Sequence, residues 1–507
     1  MKSCVVHTTR GGPVERTEQS AAAAATAAAE GPRRRGPVVA ALMLAMALAA
    51  MDSTIISTAV PQIVGELGGF SVFSWLFSGY LLAVTVTLPV YGKLADTFGR
   101  KPVLLTGIGI FLLGSVLCAG AWNMAGLIAF RIVQGLGGGA IQGTVQTIAA
   151  DLYPLKERGR IQAAISTVWA VSAVLGPLCG GLFAGYASWR WIFLINLPVG
   201  AVALLLISRH LRERVGERTR HRVDWPGALL LFLSGGLLIT GLVQSGPARW
   251  WLLGGSLVLG GLTVWAERRA AEPIIPGWVW RRRVIVAVNL ALGMLGVLMV
   301  APTVFLPTYA QTVLGLGPIA AGFVLSVMTL SWPLSAALSN RVYLRIGFRN
   351  TAALGMAAAT VVLVVLVMLP YAGPAWQPTL VMLLLGGALG LFQLPLIVGV
   401  QSTVPWSERA TATSSILFCR QVGQSVGAAV FGAVANATLA SRLHGSGTDL
   451  DSIAGAAHAD EQVRRAVAAA VDHVYVGAAV AAVLSLAAVL FVAPRRFPVL
   501  EDDPAVR

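Results

Sequence analysis

Apolar stretches of about twenty residues recur along this chain between Val38 and Val492, and we count fourteen of them. A helix of that length crosses the roughly 30 Å of a bilayer's hydrocarbon core. The composition agrees, because a chain of 507 residues that is 56% hydrophobic and 12% charged lacks the polar surface of a soluble globule. The alternation over ~10 residues that is typical of membrane β-barrel strands is missing. The sequence therefore predicts an all-α polytopic protein in the lipid bilayer, with fourteen transmembrane helices.

Lysine and arginine are concentrated in every second loop of this predicted bundle. The positive-inside rule places such loops in the cytoplasm, together with both chain ends. Topology thereby explains the net charge of +15, and the basic residues lack the interleaved aromatic residues of a nucleic-acid surface. We expect a multi-pass protein of the cell inner (cytoplasmic) membrane, with cytoplasmic termini and no nucleic-acid partner. The basic positions are Arg33, Arg34, Arg35, Lys93, Arg100, Lys101, Lys156, Arg158, Arg160, those within 209–222 and 268–283, Arg341, Arg345, Arg349, Arg495 and Arg496.

Asp52 is a carboxylate inside the first apolar stretch, MLAMALAAMDSTIIST. An ionised Asp at the centre of a membrane helix costs roughly 2.5 to 3.5 kcal/mol even on insertion scales, so such a residue usually has a function. Arg131, in the fourth stretch, needs an acidic partner for the same reason. Asp52 and Glu66 are the only acids in or bordering the first two stretches, before the loop 92–102. Alternatively, Asp52 caps a helix break together with the Ser-Thr pair that follows it.

The loop between the second and third stretches reads GKLADTFGRKP, over residues 92–102. It resembles the signature loop of the major facilitator superfamily, G-x-L-a-D-r-x-G-r-k, although Thr97 stands where that family usually has Arg. The resemblance implies that Asp96 binds the end of a neighbouring helix and basic residues, and that the loop locks one conformation. A solvated loop that only follows the positive-inside rule would not explain an acid between two glycines. The residues of the implied lock are Gly92, Asp96, Gly99, Arg100 and Lys101.

The fifth stretch contains AVSAVLGPLCGGLFAG, in which proline and several glycines favour a kinked, closely packed helix. It resembles the antiporter motif of proton-coupled exporters, g-x-x-x-G-P-x-x-G-G, with Ser172 at the first small position. Together with MDSTIISTAVPQI and WRWIFLINLPVG, it makes the chain similar to the fourteen-helix drug/proton antiporters of the EmrB/QacA type, over residues 38 to about 495. The motif positions are Gly176, Pro177, Gly180 and Gly181.

The resemblance implies a major facilitator fold with two six-helix bundles, at 37–210 and 284–495. The linker 211–283 would carry two extra transmembrane helices, and the tails 1–36 and 496–507 are expected in the cytoplasm, the first of them disordered. Carriers built from parallel repeats bind substrate between the two bundles, near the midplane. The loop SNRVYLRIGFRN repeats the signature loop, with Gly347 at the position of Gly99 and Arg349 at that of Lys101. Leu344 replaces Asp96, so any lock in the second copy must differ from the first.

Polar residues inside the apolar stretches are candidates for a substrate cavity. Arg420 lies about ten residues into a stretch and either binds an anionic group or influences the carboxylate. Alternatively, it snorkels to the inner face or pairs with backbone carbonyls. The glutamines of the fourth stretch either line a cavity or hydrogen-bond between helices. The cavity candidates are Gln134, Gln142, Gln146, Trp169, Asn289, Arg420, Gln421 and Gln424.

The sequence contains no zinc-protease motif, no nucleotide-binding lysine loop and no GxSxG with plausible partners. We therefore expect no enzyme, no catalytic residues, no metal and no cofactor, so that the energy comes from an ion gradient. A proton suits a single buried carboxylate, whereas sodium prefers several oxygen ligands. With Asp52 and Arg131 as the proton-coupling pair, we predict a monomeric antiporter that exports lipophilic small molecules, such as drugs, antibiotics or secondary metabolites, by alternating access. An uptake carrier of the same fold and a non-transporting membrane protein are the alternatives, and the sequence does not name the substrate.

Overall fold

The computed structural model describes residues 35–500 apart from 57–58, 69–74, 154, 212–223, 244–245, 271–272, 274, 372 and 444–460. Residues 1–34 and 501–507, which make up most of the two expected tails, lie outside the described residues. Every regular element in the described part of the chain is a helix, in agreement with the predicted all-α class.

The chain forms two helical halves joined by a helical linker. The amino-terminal half consists of α1 (Arg35–Ile55), α2 (Val60–Leu67), α3 (Trp75–Phe98), α4 (Arg100–Ala119), α5 (Met124–Leu152), α6 (Leu155–Tyr186), α7 (Trp191–Leu194) and α8 (Asn196–His210). The linker contains α9 (Trp225–Val243), α10 (Ala248–Arg269) and α11 (Gly277–Arg281). The carboxy-terminal half consists of α12 (Arg283–Val300), a π-helical turn (Ala301–Phe305), α13 (Leu306–Thr312), α14 (Pro318–Ile346), α15 (Phe348–Val367), α16 (Trp376–Thr403), a 3₁₀ turn (Trp406–Glu408), α17 (Arg409–Leu443), α18 (Glu461–Ala487) and a π-helical turn (Ala488–Val492).

Twelve helical segments in the described residues are long and apolar enough to cross a membrane, six in each half. The linker helices α9 and α10 are present, but neither is long and apolar enough in the described residues to count as a membrane span. The described apolar part of α9 covers only Pro226–Leu238. α10 includes Arg249, Glu267, Arg268 and Arg269 among its 22 residues. The structure thus supports a bundle of twelve apolar helices, and the predicted count of fourteen is not confirmed.

Glycines allow helices in both halves to approach one another at backbone distance. On α5, a Cβ atom at Gly135 would lie 2.6 Å from the carbonyl oxygen of Tyr80 on α3. On α16, a Cβ atom at Gly390 would lie 2.5 Å from the carbonyl oxygen of Trp332 on α14. Membrane helices pack closely through small residues, because lipid supplies no hydrophobic drive for their association. The close packing of α5 carries Arg131, on the same helix, into the interior of its half.

The two halves repeat one another in their inter-helix turns. Gly99 separates α3 from α4 with φ 98°, and Gly347 separates α14 from α15 with φ 86°. Both values lie in the left-handed region, which glycine adopts without steric cost. Lys101 donates to a carbonyl in the last turn of α8, and Arg349 donates to carbonyls in the π turn after α18. The structure therefore gives the two loops the correspondence that their sequences indicate.

The halves meet along two seams, where α3 packs against α17 and α6 packs against α14. We call the end at which α1 begins the basic end, since the turns after α3 and α5 there are rich in Lys and Arg. The hydrogen bonds and ion pairs that join the halves in the described residues lie at this end. At the opposite end, Glu66 binds Arg190 within one half and Tyr371 binds Glu461 within the other. The basic end is therefore closed in this conformation.

Two glycines on α16 provide a matched test of the packing. We expect Gly390→Ala to lower the melting temperature of the detergent-solubilised protein, because overpacking a close contact typically costs about 1–3 kcal/mol. Gly387 lies one turn away, and a Cβ atom there would have no neighbour within 4 Å. Gly387→Ala should leave the melting temperature unchanged or slightly raised, because alanine favours helix. Equal effects of the two changes would contradict the packing described for this seam.

Candidate functional site

Asp52 and Arg131 form an ion pair in the interior of the amino-terminal half. Nη1 of Arg131 lies 2.5 Å from Oδ2 of Asp52. The side chains are 1% and 0% exposed, respectively. Asp52 is in the last turn of α1, about 25 Å along the axis from Arg35, and Arg131 is about 10 Å from the start of α5 at Met124. The pair therefore lies in the membrane-embedded part of the bundle, closer to the end opposite the basic end.

Neutral polar groups complete the surroundings of the carboxylate. Gln134 donates to Oδ1 of Asp52 at 2.8 Å and accepts a hydrogen bond from Arg131 at 2.6 Å. Asn196, at the start of α8, donates to the same Oδ1 at 3.4 Å. The Oγ atom of Ser115 on α4 accepts from both amides, at 2.9 and 3.2 Å. Four helices, α1, α4, α5 and α8, thus hold one carboxylate and one guanidinium, which compensates the cost of burying two charges.

The guanidinium of Arg131 is also fixed on its other sides. Nε donates to the carbonyl oxygen of Leu76 at 3.2 Å, and the ring of Tyr80 lies 4.3 Å from the guanidinium carbon. The hydroxyl of Tyr80 is buried and has no hydrogen-bond partner among the described residues. An unpaired hydroxyl next to a buried ion pair costs free energy in the closed state, so this position favours conformations that satisfy it.

The structure decides between the readings that the sequence leaves open for these residues. α1 continues through Asp52 to Ile55, so the carboxylate does not cap a helix break. Glu66 is not the partner of Arg131, since it accepts hydrogen bonds from Arg190 and Trp189 at the opposite end. The hydrogen bond from Arg190 lowers the pKa of Glu66, with a smaller contribution from Trp189.

The predicted antiporter helix packs directly against the turn that carries Asp52. Thr54, two residues after the carboxylate, donates to the carbonyl oxygen of Ser172 on α6 at 3.0 Å. A Cβ atom at Gly176 would overlap the Oγ1 atom of Thr54. Gly180 is buried in the same helix, whereas the surroundings of Pro177 and Gly181 lie outside the described part of the chain. Residues 172 and 176 therefore set the distance between α6 and the acidic turn of α1.

Asp96 joins the halves at the basic end. Its carboxylate accepts hydrogen bonds from the backbone N–H groups of Ala410 and Thr411, at 3.1 and 2.7 Å. N–H groups in the first turn of a helix have no acceptor within the helix, and the helix dipole there favours a negative charge. A Cβ atom at Gly92 would lie 2.6 Å from the Cβ of Ser414, so glycine is needed for this approach. The position of Asp96 is the one that the family resemblance implies, and its action as a lock remains a prediction.

Arg100 and Asp151 extend this contact. Arg100 is 3% exposed, pairs with Asp151 at 2.8 Å and donates to the carbonyl oxygen of Trp406 at 2.6 Å. Its guanidinium carbon lies 3.9 Å from the centre of the Trp406 ring. Asp151 also pairs with Arg409 of the other half at 2.6 Å. A solvated loop would not bury these charges, so the bases of this loop do more than set topology.

Arg158 and Arg409 cross the interface in opposite directions. Nε of each donates to the carbonyl oxygen of the residue eight positions earlier, at 2.9 and 3.0 Å. Nη1 of Arg158 then binds the hydroxyl of Ser402 at 3.2 Å, whereas Nη1 of Arg409 binds the carboxylate of Asp151. The two arginines therefore occupy equivalent places in the two halves, and Arg409 forms an ion pair where Arg158 bonds an uncharged hydroxyl.

The sequence contains a signal for these residues that motif reading overlooks. The segment DLYPLKER (151–158) aligns with STVPWSER (402–409), sharing Pro, Glu and Arg at the same spacing. The repeat is short and lies outside the signature loop, so it attracts no attention until the structure brings the copies together. Ser115, Asn196 and Tyr80 are also missed, because a serine, an asparagine and a tyrosine in apolar helices are individually unremarkable.

The structure separates the predicted cavity candidates into two groups. Gln134 is placed with the cavity residues by its sequence spacing, but it is fully buried and hydrogen-bonds Asp52 and Ser115. Asn289 on α12 is also buried, with Ser415 donating to its carbonyl oxygen at 3.4 Å. The remaining candidates keep partial exposure, namely Gln142, Gln146, Trp169, Arg420, Gln421 and Gln424. In the described residues, no group of three or more His, Cys, Asp or Glu side chains is arranged to hold a metal ion.

Two repeated six-helix halves, with a paired carboxylate in the membrane interior, are features of a secondary membrane transporter. The comparison with protein families agrees. Residues 42–428 match the model of the Major Facilitator Superfamily, and the chain belongs to that family. It is therefore a multi-pass membrane transporter and not an enzyme.

Known proteins resemble most of the chain. It is 33% identical over 429 residues to multidrug resistance protein 3 of Bacillus subtilis (strain 168), covering 82% of this chain and 83% of the relative. It is 31% identical over 411 residues to the multidrug transporter protein MdtP of the same organism, covering 80% and 76%. The crystal structure of the human organic anion transporter MFSD10 (TETRAN) superposes with a TM-score of 0.60 over 89% of this chain and 100% of that chain. At 16% identity, that likeness concerns the fold alone.

The paired arginines give a test of the closed basic end. We expect Arg409→Gln to open this end more than Arg158→Gln, because it removes a counter-charge of the part-buried Asp151, whereas Arg158→Gln removes a hydrogen bond to an uncharged hydroxyl. The readout is the labelling rate of Ser414→Cys, a buried interface position, by an impermeant maleimide in a variant without the four native cysteines. The rate should rise about tenfold or more for Arg409→Gln and by a smaller factor for Arg158→Gln.

Arg349→Gln is the control for that experiment, because the bonds of Arg349 stay within one half. It should leave the labelling rate unchanged. Equal acceleration by Arg158→Gln and Arg409→Gln would show that the charge of Asp151 has no special part in closing the basic end.

Proposed function

We propose that this transporter exports lipophilic small molecules, drugs among them, across the cytoplasmic membrane in exchange for protons. The basic end would face the cytoplasm under the positive-inside rule, so that the closed contacts at this end correspond to an outward-facing state. The observation that carries the proposal is the sealed Asp52–Arg131 pair. It is the one acid–base pair that the described residues place deep within the membrane-embedded part of the bundle.

A sealed ion pair suits proton coupling for a physical reason. In the closed state Asp52 is buried and Arg131 compensates its charge. A conformation that separates the two groups removes this compensation, and a proton could then take the place of the guanidinium as the counter-charge. An ion does work on a conformational equilibrium only through such a difference in affinity between states.

The direction of transport is supported by separate observations. The relatives are named as multidrug resistance and multidrug transporter proteins. The Gly176 contact with Thr54 couples the predicted antiporter helix to the acidic turn, so a movement of α6 would be felt at Asp52. The names of the relatives favour export over uptake, and the contact at Gly176 supports coupling of α6 to Asp52.

We also propose that α9 and α10 are the extra transmembrane pair of the fourteen-helix drug/proton antiporters. The two helices pack together, and the hydroxyl of Ser256 donates to the carbonyl oxygen of Ser234 at 2.9 Å. α9 also contacts both α3 and α17, and Ala228 and Leu231 pack near Phe418. α9 thereby covers one seam between the halves along helices that are themselves membrane spans.

Asp52→Asn tests the proton site. We expect this variant to lose proton-driven export at every pH while retaining substrate binding, and Asp52→Glu to keep partial activity. The asparagine cannot ionise, whereas the glutamate keeps the acid at an altered distance from Arg131. The measurements are drug efflux from cells lacking other pumps, and substrate-induced proton release from the purified protein.

Glu66→Gln is a suitable control for both measurements, since Glu66 is an exposed acid at the opposite end of the same half. It should behave as the wild type. Proton release that is equal in the wild type and Asp52→Asn would place the coupling site elsewhere.

A further inference from the structure

Arg420 is a cation inside the carboxy-terminal half, and no acid of the described residues pairs with it. It is the eleventh residue after Arg409, about 16 Å along α17 and hence near the middle of a ~30 Å hydrocarbon core. Within the part of the chain that the structure describes, it has no hydrogen-bond, ion-pair or aromatic partner. Arg420 lies too deep for its side chain to reach the basic end. No backbone carbonyl of the described residues accepts a hydrogen bond from it.

Arg420 lies on the side of α17 that packs against α12, adjacent to the side that meets the amino-terminal half. Ala410 and Ser414 contact Gly92 of α3, which identifies the side of α17 turned toward the amino-terminal half. At 100° per residue, Gln421 continues that side. The backbone of Arg420 and of the glutamine at 424 lies against Gly296 of α12. Arg420 therefore lies beside α12, next to the side of α17 that meets the amino-terminal half, and it retains partial exposure.

The acids of the described chain cannot neutralise this cation. Asp52 is enclosed with Arg131, and Asp151 is engaged at the basic end by Arg100 and Arg409. The polar groups that accompany Arg420 are uncharged. Asn289 on α12 keeps its Nδ2 donor buried and without a partner. The α12–α17 pair thus contains one uncompensated positive charge and one unused donor, in a setting where an unpaired charge is costly.

We propose that Arg420 binds an anionic group of the exported molecule, so that the substrates are lipophilic anions such as aromatic carboxylates, phenolates or sulfonates. This substrate class rests on the export function proposed above. A planar guanidinium binds a carboxylate or sulfonate through two parallel hydrogen bonds, and desolvation in the bundle strengthens them. The substrate then supplies the counter-charge of Arg420, and Asp52 is left to carry the proton in the exchange proposed above.

Two pyrene probes of opposite charge test the substrate class. Pyrenebutanoate and pyrenebutyl-trimethylammonium share one apolar body and differ in the sign of the charged group. Their binding to the purified protein in nanodiscs is followed by pyrene fluorescence, with empty nanodiscs subtracted. We expect the wild type to bind the anion at least about tenfold more tightly than the cation, since one charged hydrogen bond changes the affinity by about that factor.

Variants at Arg420 make the result specific. Arg420→Gln should weaken anion binding about tenfold or more and leave cation binding unchanged, and Arg420→Lys should lie between. Because Arg420 has no partner to lose, Arg420→Gln should not lower the melting temperature. Arg442→Gln is the control, since Arg442 is exposed near the end of the same helix.

The outcomes separate this inference from the export function. Equal binding of both probes by the wild type, or unchanged anion binding in Arg420→Gln, would overturn the anionic class. Export of the cation from proteoliposomes by both the wild type and Arg420→Gln would also overturn the anionic class, but it would support the export function. Anion binding that depends on Arg420, without movement of either probe in a pH gradient, would keep the anion site and overturn the export function.

Discussion

The cost of an unpaired charge in a low-dielectric interior determines the arrangement of the amino-terminal half. Asp52 and Arg131 are stable there only together, and only because amides and a hydroxyl from neighbouring helices satisfy their remaining hydrogen-bonding groups. Together with the pair itself and the carbonyl of Leu76 on α3, those groups come from five helices, so the glycine contacts of α5 and the approach of α6 at Gly176 are conditions for the pair to exist. A change in packing at these contacts is therefore also a change in the environment of the carboxylate.

The same reasoning separates the two ends of the molecule. At the basic end, charges are shared between the halves, and Asp96, Asp151, Arg100 and Arg409 lose partners if the halves separate. At the opposite end, the ion pair of Glu66 and Arg190 lies within one half and survives such a movement. Among the described residues, rocking of the halves thus breaks strong interactions at the basic end only, which gives the closed basic end a definite energetic origin.

The repeat of the two halves is incomplete in a way that matters. Arg158 and Arg409 make equivalent helix-terminal hydrogen bonds, but one continues to Ser402 and the other to Asp151. Leu344 likewise replaces Asp96, and it is 49% exposed. The acids have been kept on the amino-terminal side of the interface and lost on the other. The two seams therefore close with unequal strength, although their backbone geometry is alike.

Much of the fold is predictable from the sequence, because a bilayer imposes simple rules on chain length and charge. The long apolar stretches give the helices, and the loop around Asp96 and the glycine-proline segment of α6 give the family. The linker shows where this approach is less secure. α9 and α10 are helices as expected, but their charged ends and short apolar part do not by themselves establish two further spans.

Some features of the site follow from the local sequence, and others arise only from the tertiary structure. The sequence alone determines that Asp52 and Arg131 must be compensated, since each is a charge in an apolar helix, and it marks Arg420 for the same reason. Only the tertiary structure decides which groups meet, because the partners come from helices far apart in the chain. It pairs Arg131 with Asp52 instead of Glu66, and it places Gln134 against the carboxylate instead of in a cavity. Among the described residues, it gives Arg420 no partner. Helical spacing fixes which residues share a face, but not which face another helix will cover.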